Sequence, residues 1–130
     1  MSWSKEAAMK FPKIYTDASG ETHFGVYETP ELDLALGPPP NPKGRMSDFG
    51  PVSSLRIFFF PAGTDAPAHP APQPYVAIVL GGEGEIITSD GASQTFHAGD
   101  VLLCSDLTGK GHTTRALTDL RLAFIQRQQT

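Results

Sequence analysis

Apolar and polar residues alternate with a period of two along most of this chain. Between Val52 and Phe60, Leu55, Ile57 and Phe59 fall on one face and Arg56, Phe58 and Phe60 on the other, as in a β-strand. Comparable stretches follow at Tyr75–Leu80, Gly84–Thr88, Gln94–His97, Val101–Cys104, His112–Leu117 and Leu120–Gln126, while His23–Glu28 alternates more weakly. Gly-Gly, Ser-Asp-Gly, Ala-Gly-Asp and Thr-Asp segments separate them, which is turn chemistry. Residues 4–10 read as one short helical turn. Many short strands, Gly-rich turns and no long helical stretch predict an all-β barrel or sandwich. Leu36–Pro51 breaks the pattern with Pro38, Pro39, Pro40, Pro42 and Pro51. It is too rich in proline for a paired strand and reads as a wall-hugging surface loop, with a lid over the barrel mouth as the alternative.

Pro70, Pro72 and Pro74 occupy every second position. In an extended chain their missing N–H groups would fall along one side, so this segment belongs at a sheet edge or barrel rim. His69, Ala71, Gln73 and Tyr75 would then share a face, at steps of roughly 6.6 Å. Ala71, small and central, would leave room there for a ligand.

Composition narrows the function. The chain has 130 residues, enough for one domain with its own core. A net charge of −4 with no basic run argues against nucleic acid or an anionic membrane as partner. No apolar run approaches a membrane span, and the first ten residues lack the apolar centre of a signal peptide. The single cysteine, Cys104, precludes an intramolecular disulfide and suits a reducing compartment, so a cytoplasmic location is expected. Cys104 itself reads as a small buried hydrophobe.

Two spaced motifs carry a family resemblance. Gly63, five residues, His69, one residue, Ala71, three residues, Tyr75, six residues and Gly82 keep the spacing of the first cupin motif. Gly99-Asp100-Val101 followed by Gly109-Lys110-Gly111-His112 is similar to the second, with two extra residues in the turn and Leu107 where proline is usual. The chain resembles a small single-domain cupin over residues 52–126, and in particular a subgroup with His-Pro-Ala-Pro and Thr-Gly-Lys-Gly-His motifs. The resemblance implies a cupin-type double-stranded β-helix, or jelly-roll barrel, preceded by an N-terminal arm and Pro-rich loop over residues 1–51. It also implies a homodimer, for which Trp3, Phe11 and Tyr15 would be apolar anchors.

The usual cupin metal site is three histidines and a glutamate. Aligned residue by residue, this chain retains only His69 and His112, with Ala71 and Tyr75 in two ligand positions. No cofactor is therefore expected. The alternative is a divalent Fe, Mn, Ni, Cu or Zn ion on His69 and His112, completed by His23, Gln73, Tyr75 or a ligand. His23 reads more simply as an exposed strand histidine, and His97 and Arg115 as surface residues.

Without a metal, His69, Tyr75 and His112 become candidate acid–base groups. Asp106 is placed either to orient His112 or to cap its own turn. Phe58 and Phe60 would supply aromatic wall, and Gln73 and Lys110 would contact substrate. The expected function is a small-molecule-binding, metal-independent lyase, isomerase or cyclase acting on a small, mainly apolar or aromatic substrate. A metal-dependent oxygenase and a non-catalytic binding module are the alternatives.

Overall fold

The two-residue periodicity is realised as twelve β-strands among residues 9–128, the residues that this computed structural model describes. They are β1 (Met9–Thr16), β2 (Thr22–Thr29), β3 (Glu31–Ala35), β4 (Lys43–Ser47), β5 (Val52–Phe60), β6 (Asp65–His69), β7 (Tyr75–Gly81), β8 (Glu83–Thr88), β9 (Ser93–His97), β10 (Val101–Cys104), β11 (His112–Ala116) and β12 (Leu120–Arg127). A six-stranded sheet has the order β2-β1-β10-β7-β12-β5, and a four-stranded sheet the order β6-β11-β8-β9. β3 and β4 form a separate hairpin. The pairing is antiparallel except where β1 runs parallel to β10. The fold is all-β, as the alternation predicts, and is the jelly-roll barrel that the resemblance implies. Among the described residues no helix is long and apolar enough to cross a membrane.

The core lies between the two sheets and is filled by alternate residues of each. Gly84, Ile86 and Thr88 of β8 are buried while Glu83, Glu85 and Ile87 are less so. They meet Ala77, Val79, Leu102, Cys104, Leu120 and Leu122 from the other sheet. Each fully buried Leu or Ile contributes about 1.5–3 kcal/mol. Leu120, 1% exposed, packs onto the bare backbone of Gly84, so close that a side chain there would displace it.

Three features differ from the sequence expectations. Met9 and Lys10 belong to strand β1, not to a helical turn; residues 4–8, like Trp3, lie outside the described residues. β1 also lies inside the six-stranded sheet, so the N-terminal segment is part of the barrel wall. Its Pro12 is tolerated because the pairing with β10 registers only at Lys13 and Ile14.

Within Leu36–Pro51, residues 43–47 are not loop but β4, paired with β3 from Glu31↔Ser47 to Ala35↔Lys43. The prolines are confined to the turn and the exit. Phe49 then packs on the outer wall, its ring 5.0 Å from Phe11 and 5.9 Å from Tyr27.

The proline ladder does not run extended. β6 ends at His69, and the chain bends at Pro72 and Gln73 before β7 begins. Its edge position does hold, since β6 is an edge strand of its sheet.

Candidate functional site

His112 opens β11 and His69 closes β6, and the register pairs them directly across the sheet. Their ring centroids are 5.8 Å apart. His69 is exposed at the rim, whereas His112 is only 8% exposed. The turn before His112 makes this approach possible. Gly111 has φ +73°, and a side chain there would collide with the His69 carbonyl group; only glycine fits such a position.

Asp106, wholly buried, lies below His112. Its Oδ2 is 2.6 Å from His112 Nδ1, and its Oδ1 has no partner among the described residues. The loop that carries it is pinned where Ala71 N–H donates to the Asp106 carbonyl at 2.9 Å and Ser105 N–H to that of Ile14 at 2.9 Å. Opposite a carboxylate, His112 Nδ1 is the protonated nitrogen. His69 Nδ1 is likewise the donor, 2.9 Å from the Pro67 carbonyl. In its neutral form each ring therefore keeps its lone pair on Nε2.

Both imidazoles border a cavity of about 190 Å³ lined also by Phe58, Phe60, Ala71, Tyr75, Thr114 and Phe124. Through Cys104, His112, Thr114, Leu122 and Phe124 it continues into a deeper, mostly apolar recess of about 50 Å³. Phe58 and Phe60 stack at 5.8 Å and 7°, and Phe124 meets Phe58 edge-on at 5.3 Å. Tyr75 packs on Phe124 at 5.3 Å. A cavity of ~150 Å³ already takes a benzene ring, so this space matches a ligand with one ring.

Of the site residues expected from sequence, the structure brings together His69, Tyr75, His112, Phe58 and Phe60. It does not bring Gln73 or Lys110. Gln73 sits exposed in the bend, because the prolines turn the chain where an extended run would have put it beside His69. The Lys110 ammonium lies 2.6 Å from Glu21, a pair that holds the turn to the N-terminal hairpin and raises its proton affinity.

His23 does not reach the cavity either. It is held between Asp17, 2.7 Å from Nε2, and Asp90, 2.8 Å from Nδ1. Hydrogen bonds that the ring donates to both carboxylates, Asp17 first, raise its pKa. That clamp ties the β1–β2 turn to the β8–β9 turn, and nothing local in the sequence signals it. His97, near Glu83 and Asp100, and Arg115, between Asp65 and Glu85, face outward as expected.

The donor set falls short of a dedicated metal site. Two imidazole Nε2 atoms are available, but the nearest carboxylate is engaged by His112 and points away from them. Burial, and after it the charge of Asp106, pushes the Cys104 thiol up to about 12. Among the described residues no group of three or more His, Cys, Asp or Glu is arranged to hold a metal ion.

No family model matches the chain, and no curated protein matches it. Solved structures do. The chain is 32% identical to an RmlC-like cupin protein from Desulfovibrio desulfuricans, with 55% of this chain and 69% of that one covered and a TM-score of 0.45. It is 17% identical to a cupin superfamily protein from Desulfitobacterium hafniense, covering 76% and 78%, TM-score 0.49. A conserved protein of unknown function from Streptococcus pyogenes is also 17% identical, covering 58% of this chain and 65% of that one, TM-score 0.49. This chain thus spans about two thirds of the Streptococcus and Desulfovibrio proteins.

The superpositions themselves decide nothing. The sequence identity with the Desulfovibrio protein, the two spaced motifs and the jelly-roll strand order together define the class. The chain belongs to the cupin superfamily.

Proposed function

We propose that this cupin binds a small, mainly apolar or aromatic molecule and acts on it by metal-independent proton transfer, as a lyase, isomerase or cyclase. The observation that carries the reading is the buried Asp106–His112 pair at the edge of an apolar, aromatic-walled cavity. A mostly apolar pocket with a few convergent polar groups is the usual form of a small-molecule site.

In this reading His112 takes a proton from the substrate through Nε2. Asp106 fixes the tautomer and balances the charge the ring acquires, as the carboxylate does in hydrolytic triads. The Tyr75 hydroxyl donates to a carbonyl or phenolate oxygen of the substrate. His69, at the rim and within reach of water, returns a proton to the product or exchanges it with solvent. Aromatic contacts from Phe58, Phe60 and Phe124 hold the ring. A cytoplasmic setting accords with the single buried thiol of Cys104.

The test is proton exchange. Chelator-treated protein is incubated in deuterium oxide with a panel of single-ring phenols and aryl ketones, and the ligand C–H signals are followed by NMR. Deuterium incorporation that His112→Ala abolishes is the expected result. Exchange or turnover that appears only after iron is added overturns the metal-independent reading. Tight binding with neither exchange nor turnover of any panel member would leave a binding module.

A further inference from the structure

One cation stands at the lip of the cavity. β5 pairs with β12 without a break from Ser54↔Gln126 to Phe60↔Leu120, so its residues alternate between the two sides of the sheet. Phe58 and Phe60 line the cavity. Arg56, two residues earlier, falls on the same side, and its direct cross-strand neighbour is Phe124, itself a cavity residue. Direct neighbours of this kind have Cβ atoms about 4.5–5.5 Å apart. Arg56 is exposed, on the edge strand of its sheet.

The chain leaves that charge unanswered. Arg45 is paired with Glu31, Arg115 with Asp65 and Glu85, and Lys110 with Glu21, while Arg127 donates to the Tyr27 hydroxyl. Among the described residues the Arg56 guanidinium has no hydrogen-bond or ion-pair partner. Its neighbours on that side of the sheet are neutral: Phe124 directly opposite, Ser54 and Phe58 along β5, and Leu122 and Gln126 on the diagonals. Arg121 supplies the contrast. It too is unpaired among the described residues, but it lies opposite Phe59 on the outer side of the sheet, away from the cavity.

We propose that Arg56 receives the carboxylate of an aromatic acid whose ring enters the cavity. The proposal rests on the reading of this cavity as the ligand site and adds the ligand's charge and orientation. A guanidinium meets a carboxylate in two parallel N–H···O bonds and stacks its flat face on aromatic rings, which Phe58 and Phe124 supply beside it. No Lys or Arg is among the residues that line the cavity. A carboxylate carried inside would lose its hydration without a cation in return, so the charged end stays at the mouth. The ring then lies against Phe58, Phe60 and Phe124, with its far edge toward His112 in the facing sheet.

Paired ligands test this. Benzoate, phenylacetate and hydrocinnamate are each compared with the alcohol of the same length by calorimetry on the full chain. At least one acid is expected to bind tenfold or more tighter than its alcohol. Arg56→Gln should abolish that preference and leave the alcohol's affinity unchanged. Arg56→Lys should keep part of it, because an ammonium lacks the planar fork, and Arg121→Gln should keep all of it. An acid preference that survives Arg56→Gln, or that Arg121→Gln removes equally, overturns the proposal. Equal binding of acids and alcohols overturns it too; if Ala71→Leu still weakens both, the cavity remains the ligand site and only the role of Arg56 falls. Binding that Ala71→Leu leaves untouched removes the cavity reading and the proposal together, and absence of binding by every pair overturns the proposal. Should Arg56→Gln fail to fold, the acid-to-alcohol ratios of the parent and of Arg56→Lys decide.

Discussion

Nδ1 of His112 and Oδ2 of Asp106 lie 2.6 Å apart, and that hydrogen bond is the only one the Asp106 side chain makes among the described residues. Asp106→Ala is expected to cost about 1–3 kcal/mol, because it leaves a buried ring N–H unpaired; urea unfolding measures it. Asp106→Asn should be milder for stability. It should lower proton exchange by roughly 10²–10⁴-fold, since an amide that donates its N–H to the ring selects the wrong tautomer. Equal losses in both variants, with exchange intact in folded Asp106→Asn, would remove Asp106 from the mechanism.

Ala71 is 3% exposed and lines the cavity. Ala71→Leu places its added atoms in that space and is expected to stay within about 1 kcal/mol of the parent in stability. Binding of any single-ring ligand should weaken at least tenfold, read by calorimetry. Unchanged affinity would place the ligand elsewhere.

Cys104 lies at the base of the cavity, its thiol pushed up to about 12 by burial and then by the charge of Asp106. A thiol reagent at about pH 8 should leave the native protein unmodified and label one thiol per chain after unfolding. Rapid native labelling would show that the cavity floor opens.

The Asp17–His23–Asp90 clamp makes stability depend on pH. Folded His23 holds its proton more tightly than the unfolded chain does, because Asp17 and then Asp90 hydrogen-bond to it. Its contribution is therefore complete below the ordinary value of 6.5 and fades as pH rises through the folded value. Asp17, lowered by Ser19 and then His23, and Asp90, lowered chiefly by Thr88, act in the opposite sense. Their contribution is complete above 3.8 and is lost on acidification. All three act in full between those values. The melting temperature should fall from about pH 5 to about pH 8 by more in the parent than in His23→Gln; equal slopes would refute the clamp.

Where burial is one-sided and local, the sequence was readable. β5 and β8 fall where the alternation puts them, because each presents one side to the core and no proline interrupts it. The spacing of Gly63, His69 and His112 was enough to bring two histidines to one rim. Other features depend on partners far away in the chain. β4 was hidden by flanking prolines, and only its pairing with β3 makes Lys43–Ser47 a strand. The prolines turn the chain at Pro72–Gln73, but the bend is held against the barrel by the hydrogen bond from Ala71 N–H to the Asp106 carbonyl, which no local pattern encodes. Lys110 was misplaced for the same reason, since Glu21 lies 89 positions away.

The position of β12 bears on how the molecule comes into being. It lies between β7 and β5 and is the strand through which β5 joins the sheet. A nascent chain still lacking residues 120–127 can form the β8–β9 and β3–β4 hairpins, but β5 then has nothing to pair with and the cavity lacks the wall built by Leu122 and Phe124. Closing loops of this length before any native contact rewards them is slow. Until β12 is made, the apolar segment Leu55–Phe60 therefore has no strand to pair with, and an uncovered apolar strand of this kind is prone to associate.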